Sequence, residues 1–171
     1  MNSKKNLVLL GMMGSGKSTV GYLLSKRIKL DFIDIDNVIE DKAGMSIFKI
    51  FEVMGEDYFR DLEEKISNTI LKTKNSVVSL GGGAFMNSNI REEILLNSKS
   101  FWLNTNLEII KERVKKSQKR PLLNNDNFKK TLEQIYHERK DFYALADHKI
   151  ECNKQKPKLI ANIIIKIYEN R

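Results

Sequence analysis

An α/β fold with a mainly parallel sheet is expected from two features of this sequence. Short apolar runs rich in β-branched and aromatic residues alternate with amphipathic helical stretches, and the first such run passes directly into a glycine-rich loop that opens a helix. Strands separated by helices pair in parallel and are covered on both faces. With 171 residues the chain suits one domain with a full core, spanning residues 1–171.

Leu7-Val8-Leu9-Leu10 reads as the first buried strand, and Val20, Leu23, Leu24 and Ile28 as the packing face of the first helix. Between them lies Gly11-Met12-Met13-Gly14-Ser15-Gly16-Lys17-Ser18-Thr19, the pattern G-x-x-x-x-G-K-[ST] in the strand–loop–helix setting that a phosphate-binding loop requires. The glycines allow backbone N–H groups to crowd round an anion. Lys17, on a loop expected to face solvent, can reach the outer phosphates, and the Ser18 hydroxyl can ligate magnesium.

Asp31-Phe32-Ile33-Asp34-Ile35-Asp36 is expected as a short strand whose two-residue period puts Asp34 and Asp36 on one side at its carboxyl end, where α/β sheets bind ligands. One carboxylate there can hold magnesium through its water shell, and the other can orient a substrate hydroxyl or accept its proton. Residues Asn37 to Lys72 read as two or three helices punctuated by Gly44 and Gly55. In the last, Phe59, Leu62, Ile66 and Ile70 form the apolar stripe, and Arg60 and Glu63 share another face. That pair is either a surface ion pair or a carboxylate grip, with Glu63 steadying the planar fork of Arg60.

Val77-Val78-Ser79-Leu80 is the next strand and runs into Gly81-Gly82-Gly83, which would let a ligand approach bare backbone. Many phosphate-loop ATPases place an acidic residue at this strand end. Its absence leaves the metal-side carboxylate to Asp34 or Asp36. Ser100 to Leu103 forms a third buried strand with Trp102 in the core, followed by a helix to about Ser117 with Thr105 and Glu108 as its capping box. Lys115 to Asn127 breaks all periodicity and is cationic, as a loop closing over phosphates would be, with Arg120 available to the moving phosphoryl group. A helix from Phe128 to about Ala146 carries Arg139; His137 and His148 are assigned to structure. Lys149 to Cys152 closes the sheet, and Pro157 opens a helix packed through Leu159, Ile160, Ile163, Ile164 and Ile167.

The excess of 30 Lys+Arg over 22 Asp+Glu favours anionic partners, although it also describes a lysine-rich surface. Most aromatics lie on apolar stripes and are not interleaved with cations, which argues against nucleic acid. A GTP-dependent switch would need Asn-Lys-x-Asp, and Asn153-Lys154-Gln155-Lys156 lacks the aspartate. A lone cysteine, Cys152, suits a reducing compartment. The apolar run before Gly11 is too short for a secretory signal, and nothing approaches the roughly 20 apolar residues of a membrane span. A cytoplasmic protein without membrane contact is expected.

The motif set resembles that of the shikimate kinases, small phosphate-loop kinases similar in core architecture to nucleoside monophosphate kinases. The resemblance spans nearly the whole chain and rests on the Gly11 to Ser18 loop, Asp34-Ile35-Asp36, Gly55-Glu56-Asp57-Tyr58-Phe59-Arg60, Gly81-Gly82-Gly83, Arg120-Pro121-Leu122-Leu123 and Glu138-Arg139-Lys140-Asp141-Phe142-Tyr143. It implies a three-layer fold around a five-stranded parallel sheet of order 2-3-1-4-5, with a substrate-binding region near residues 37–64 and a lid near 115–127. It further implies transfer of a phosphoryl group from ATP to the 3-hydroxyl of shikimate, a step towards the aromatic amino acids, by a monomer taking small-molecule substrates. Another small hydroxy acid such as gluconate is the alternative acceptor. By the same resemblance Asp36, Arg60, Gly81, Gly82, Gly83 and Arg139 hold the acceptor. Gly14, Ser15, Gly16, Lys17, Ser18 and Thr19 hold the nucleotide, with Arg113 and the loop from Lys154 to Pro157 near the adenine. Ser18 and Asp34 serve magnesium, and Lys17, Asp36 and Arg120 are catalytic.

Overall fold

A computed structural model describes residues 5–115 and 127–169. Five parallel strands, β1 (Asn6–Leu10), β2 (Asp31–Asp34), β3 (Ser76–Ser79), β4 (Ser98–Asn104) and β5 (His148–Glu151), form one sheet in the order β2-β3-β1-β4-β5. The helices are α1 (Lys17–Ile28), α2 (Ile35–Ala43), α3 (Ile47–Leu71), α4 (Ser88–Asn97), α5 (Leu107–Lys115), α6 (Phe128–Tyr143) and α7 (Pro157–Glu169). The expected order and three-layer arrangement are both present.

β1 is buried at every position because its two faces serve two cores. Leu7 and Leu9 pack with Val20 and Leu24 of α1 and Ile160 and Ile164 of α7. Val8 and Leu10 pack on the other face with Ile35, Ile39, Phe59, Ile66 and Ile110 from α2, α3 and α5. Period-2 alternation inside a wholly apolar run therefore sorts one strand between two helical layers. At the foot of the sheet Asn6 is 2% exposed; its Nδ2 donates to the carbonyls of Leu71 and Thr73 and its Oδ1 accepts from the Ser76 amide, which pins β1 to β3 and the end of α3.

Several expectations change in detail. β2 stops at Asp34, and Ile35 begins α2, so Asp36 lies in a helix's first turn and not on a strand. The cause is local: the Asp34 side chain accepts from the Asp36 amide at 3.1 Å, an N-cap that is stronger than the alternation pattern. The cap of α5 is Asn106, whose Oδ1 accepts from the Glu108 amide, while the Thr105 hydroxyl turns instead to the Ser15 carbonyl. α4, capped by Asn87 and seated through Ile90 and Ile94, was not among the elements expected from sequence. Gly55 breaks α3 at φ 84° and ψ 171°, a conformation that L side chains avoid. His148 stacks on Phe101, in keeping with a structural role, and burial pushes the thiol of Cys152 up to about 12, making it a packing group.

Candidate active site

The carboxyl ends of β1, β2 and β3 open into a cleft of ≈ 470 Å³, walled by the glycine-rich loop, Asp34, Asp36, Gly82, Arg113 and Gln155. This is the sheet edge at which the crossover direction reverses, the place where open α/β sheets take ligands.

Gly14 and Gly16 hold the loop at φ 74° and 99°, and Gly16 is the N-cap of α1. The Ser15 amide donates to the Met12 carbonyl at 3.2 Å, tightening the turn. Amides at the start of α1, together with the helix dipole, make a cradle for an anion. Among the described residues the buried Ser15 hydroxyl has no hydrogen-bond partner, and a phosphate oxygen in the cradle would satisfy it. Lys17 does not face solvent as expected. It is 9% exposed, and its Nζ donates to the carbonyls of Gly11 and Met12 at 2.9 and 3.0 Å, so the loop itself positions the ammonium. Thr19 is exposed at the cleft wall.

Next to the loop the Ser18 hydroxyl donates to Asp34 Oδ2 at 2.5 Å, while Asp34 Oδ1 caps α2. A hydroxyl and a carboxylate in contact are the hard oxygen donors that suit magnesium. Among the described residues no group of three His, Cys, Asp or Glu side chains could cage a metal alone, so an ion here would complete its shell with water and phosphate.

The expected acceptor side centres on the three glycines. A methyl placed on Gly81 would lie 2.7 Å from Glu63 Oε1 and 2.9 Å from Asp36 Oδ1. One placed on Gly83 would meet Arg60 Nη1 at 2.9 Å and Arg139 Nη2 at 3.4 Å; one on Gly82 would reach the Met13 amide at 3.4 Å and Arg139 Nη1 at 3.6 Å. α2, α3 and α6 thus bring Asp36, Arg60, Glu63 and Arg139 to one strand end, and only residues without side chains leave room for them. The Arg60–Glu63 pair is no surface pair: Glu63 is 3% exposed and bonds Arg60 Nη1 at 2.8 Å, while Glu56 accepts from Arg60 Nε and Nη2 on the outer side. Burial raises the carboxyl pKa of Glu63 against the opposing pull of Arg60. Burial alone would lower the pKa of Arg60, but its hydrogen bonds and charges from Glu63 and Glu56 raise it, so the guanidinium stays charged. Glu138 is engaged with Gln134 and not with Arg139.

On the far side Arg113 donates to the Gly14 carbonyl at 3.1 Å. Lys154 is an exposed left-handed turn residue at φ 57°, and Gln155 and Pro157 form the cleft wall there. Gln155 lies in the Lys154 to Pro157 loop expected near the adenine, and among the described residues its buried Oε1 has no hydrogen-bond partner. Arg120 lies outside the described residues, as does most of the expected lid. No helix among the described residues is long and apolar enough to cross a membrane.

The family model for shikimate kinase matches residues 13–169. A shikimate kinase from a Sulfurihydrogenibium species is 42% identical over 95% of this chain and 98% of its own length. One from Persephonella marina is 42% identical over 94% of this chain and 97% of its own. Among solved structures, shikimate kinase from Acinetobacter baumannii in complex with shikimate superposes with a TM-score of 0.91 at 33% identity, covering 96% of this chain and 92% of that one. With the phosphate loop, the three glycines and the two converging arginines in place, the chain belongs to the shikimate kinase family.

Proposed function

We propose that this chain uses ATP to phosphorylate the 3-hydroxyl of shikimate, giving shikimate 3-phosphate and ADP. The observation that carries this reading is the convergence of Arg60 and Arg139 on Gly83 beside Asp36, one residue from the glycine that abuts the phosphate loop. Two guanidinium groups aimed at one point repel each other, and a carboxylate between them offsets that repulsion through charge-assisted hydrogen bonds. Shikimate supplies a carboxylate at one end and hydroxyls at the other, which matches arginines on one side of the glycines and Asp36 on the other.

In the reaction Lys17, fixed by the Gly11 and Met12 carbonyls, stabilises charge on the outer phosphates while the loop amides hold them. Ser18 and Asp34 would hold magnesium, which when bound neutralises charge on the β- and γ-phosphates. Asp36 orients the attacking hydroxyl and takes its proton late, since phosphoryl transfer depends mainly on positioning and charge stabilisation. Arg113, Gln155 and the turn at Lys154 face the nucleotide's far end, and Arg120 completes neutralisation of the moving group. The protein acts as a monomer in the cytoplasm.

A coupled ADP-release assay across a panel of hydroxy acids tests this reading. Release with shikimate and none above background with gluconate is the expected outcome; turnover with gluconate alone would assign a different acceptor.

A further inference from the structure

Tyr143 heads the fully buried side chains by volume, and its hydroxyl sits where apolar packing alone would ask for none. That hydroxyl donates to the Gly82 carbonyl, far away in sequence, and lies 3.8 Å from the Met12 sulfur of the phosphate loop. One helical turn earlier on the same face is Arg139, whose Nη1 would lie 3.6 Å from a methyl on the same Gly82 and whose charge acts on the phenol. A phenol has one proton and two lone pairs, so with its proton on Gly82 its lone pairs stay available to the guanidinium. Trp102 packs against the ring with centroids 6.0 Å apart, fixing its plane. Burial pushes the hydroxyl up to about 12, which keeps it a donor at every working pH.

We propose that Tyr143 is a positioning residue for the acceptor: its hydroxyl holds the Gly82 carbonyl turned towards the core and, through its lone pair, holds the Arg139 guanidinium over Gly83. It touches neither substrate and acts through Arg139 and the glycine backbone. A phenylalanine would fill nearly the same volume, so the hydroxyl serves orientation and not packing. The inference rests on the acceptor reading above, and it predicts an asymmetric effect. Losing the hydroxyl frees the carboxylate grip while leaving the nucleotide cradle, whose amides and Lys17 contacts are made within the loop itself.

The test is steady-state kinetics of Tyr143→Phe beside the wild type, with shikimate and ATP varied separately. KM for shikimate is expected to rise about tenfold, KM for ATP to stay within about twofold, and kcat to fall by less than KM rises. In titrations with shikimate, Tyr143→Phe combined with Arg139→Lys should bind about as weakly as Arg139→Lys alone, because both changes loosen the same guanidinium. An unchanged KM for shikimate, or an equal rise in both KM values, overturns the proposal, as does full additivity of the two substitutions. Should Tyr143→Phe fail to fold, Tyr143→Met carries the same expectations, and if neither folds the hydroxyl serves the fold and the proposal is overturned. Absence of shikimate turnover in the wild type would be the failure of the acceptor reading itself, and it shows before any variant is made.

Discussion

Arg60 and Arg139 reach the same point from different helices: a methyl on Gly83 would lie 2.9 Å from Arg60 Nη1 and 3.4 Å from Arg139 Nη2. Arg60 is braced by Glu63 beneath and Glu56 outside, while Arg139 stands one helical turn from Tyr143 on α6. The Arg60 guanidinium is thus held at its back with its remaining edge towards the glycines, and with Arg139 it makes a fork of the geometry that suits a carboxylate.

Replacing either arginine by lysine should therefore cost more than charge conservation suggests. Arg60→Lys or Arg139→Lys is expected to weaken shikimate binding by about 1.5–3 kcal/mol, because an ammonium cannot make the planar two-point contact. Affinity for ATP should hardly change. Isothermal titration of each variant with each substrate checks the split, and equal losses for both substrates would place the arginines in a common structural role.

Lys17→Ala is expected to abolish transfer with the fold retained, measured as loss of ADP release beside an unchanged circular dichroism spectrum. The ammonium is tied to two carbonyls of its own loop, so its removal also loosens the phosphate cradle, and ATP affinity should fall together with kcat. Turnover like the wild type would remove the loop from the nucleotide site.

A methyl on Gly81 has no room beside Glu63 and Asp36, both under 3 Å away. Gly81→Ala should push these carboxylates aside and raise KM for shikimate by at least about tenfold while KM for ATP moves little. An unaffected KM for shikimate would mean that the acceptor does not lie over this glycine.

Glu63 sets opposite pH trends for stability and for binding. Its pKa is raised in the fold, chiefly by burial, with the Asp36 charge adding to the rise and Arg60 and Arg139 opposing it. As pH rises, the unfolded chain loses this proton before the folded one does. The stability contributed by the group is therefore fully present below the ordinary glutamate pKa of about 4.3 and is lost as pH rises through the raised value. Protonation, however, removes the anionic brace of Arg60, so shikimate affinity should fall as pH drops through that same value. Glu63→Gln imitates the protonated form. It is expected to gain Tm relative to the wild type as pH rises through the window and to bind shikimate more weakly at neutral pH. Thermal melts and titrations across pH 4 to 8 check both, and a variant that loses Tm at neutral pH while binding normally would contradict this account.

What could be read from the sequence is what short-range chemistry decides. The glycine-rich loop, the apolar strands and the three glycines after β3 are local patterns, and each stands where its pattern places it. Asp36 was misplaced onto a strand because a single side-chain cap at Asp34 decided between strand and helix, and alternation over six residues carries no sign of that. The burial of Glu63, the contact from Thr105 to the Ser15 carbonyl and the bond from Tyr143 to Gly82 depend on residues that meet only after the sheet forms. Arg60 and Arg139 were nameable one at a time through their motifs, whereas their convergence on Gly83 is a property of how α3 and α6 pack against the end of β3.

The most direct test of the central claim, that this site reads a carboxylate through two arginines, compares wild-type binding of shikimate with binding of its neutral carboxamide by isothermal titration. The account predicts that the amide binds at least about tenfold more weakly, and that this preference for the acid shrinks in Arg60→Lys and Arg139→Lys. Equal affinity of the wild type for acid and amide would contradict it, since neither guanidinium could then be holding a carboxylate.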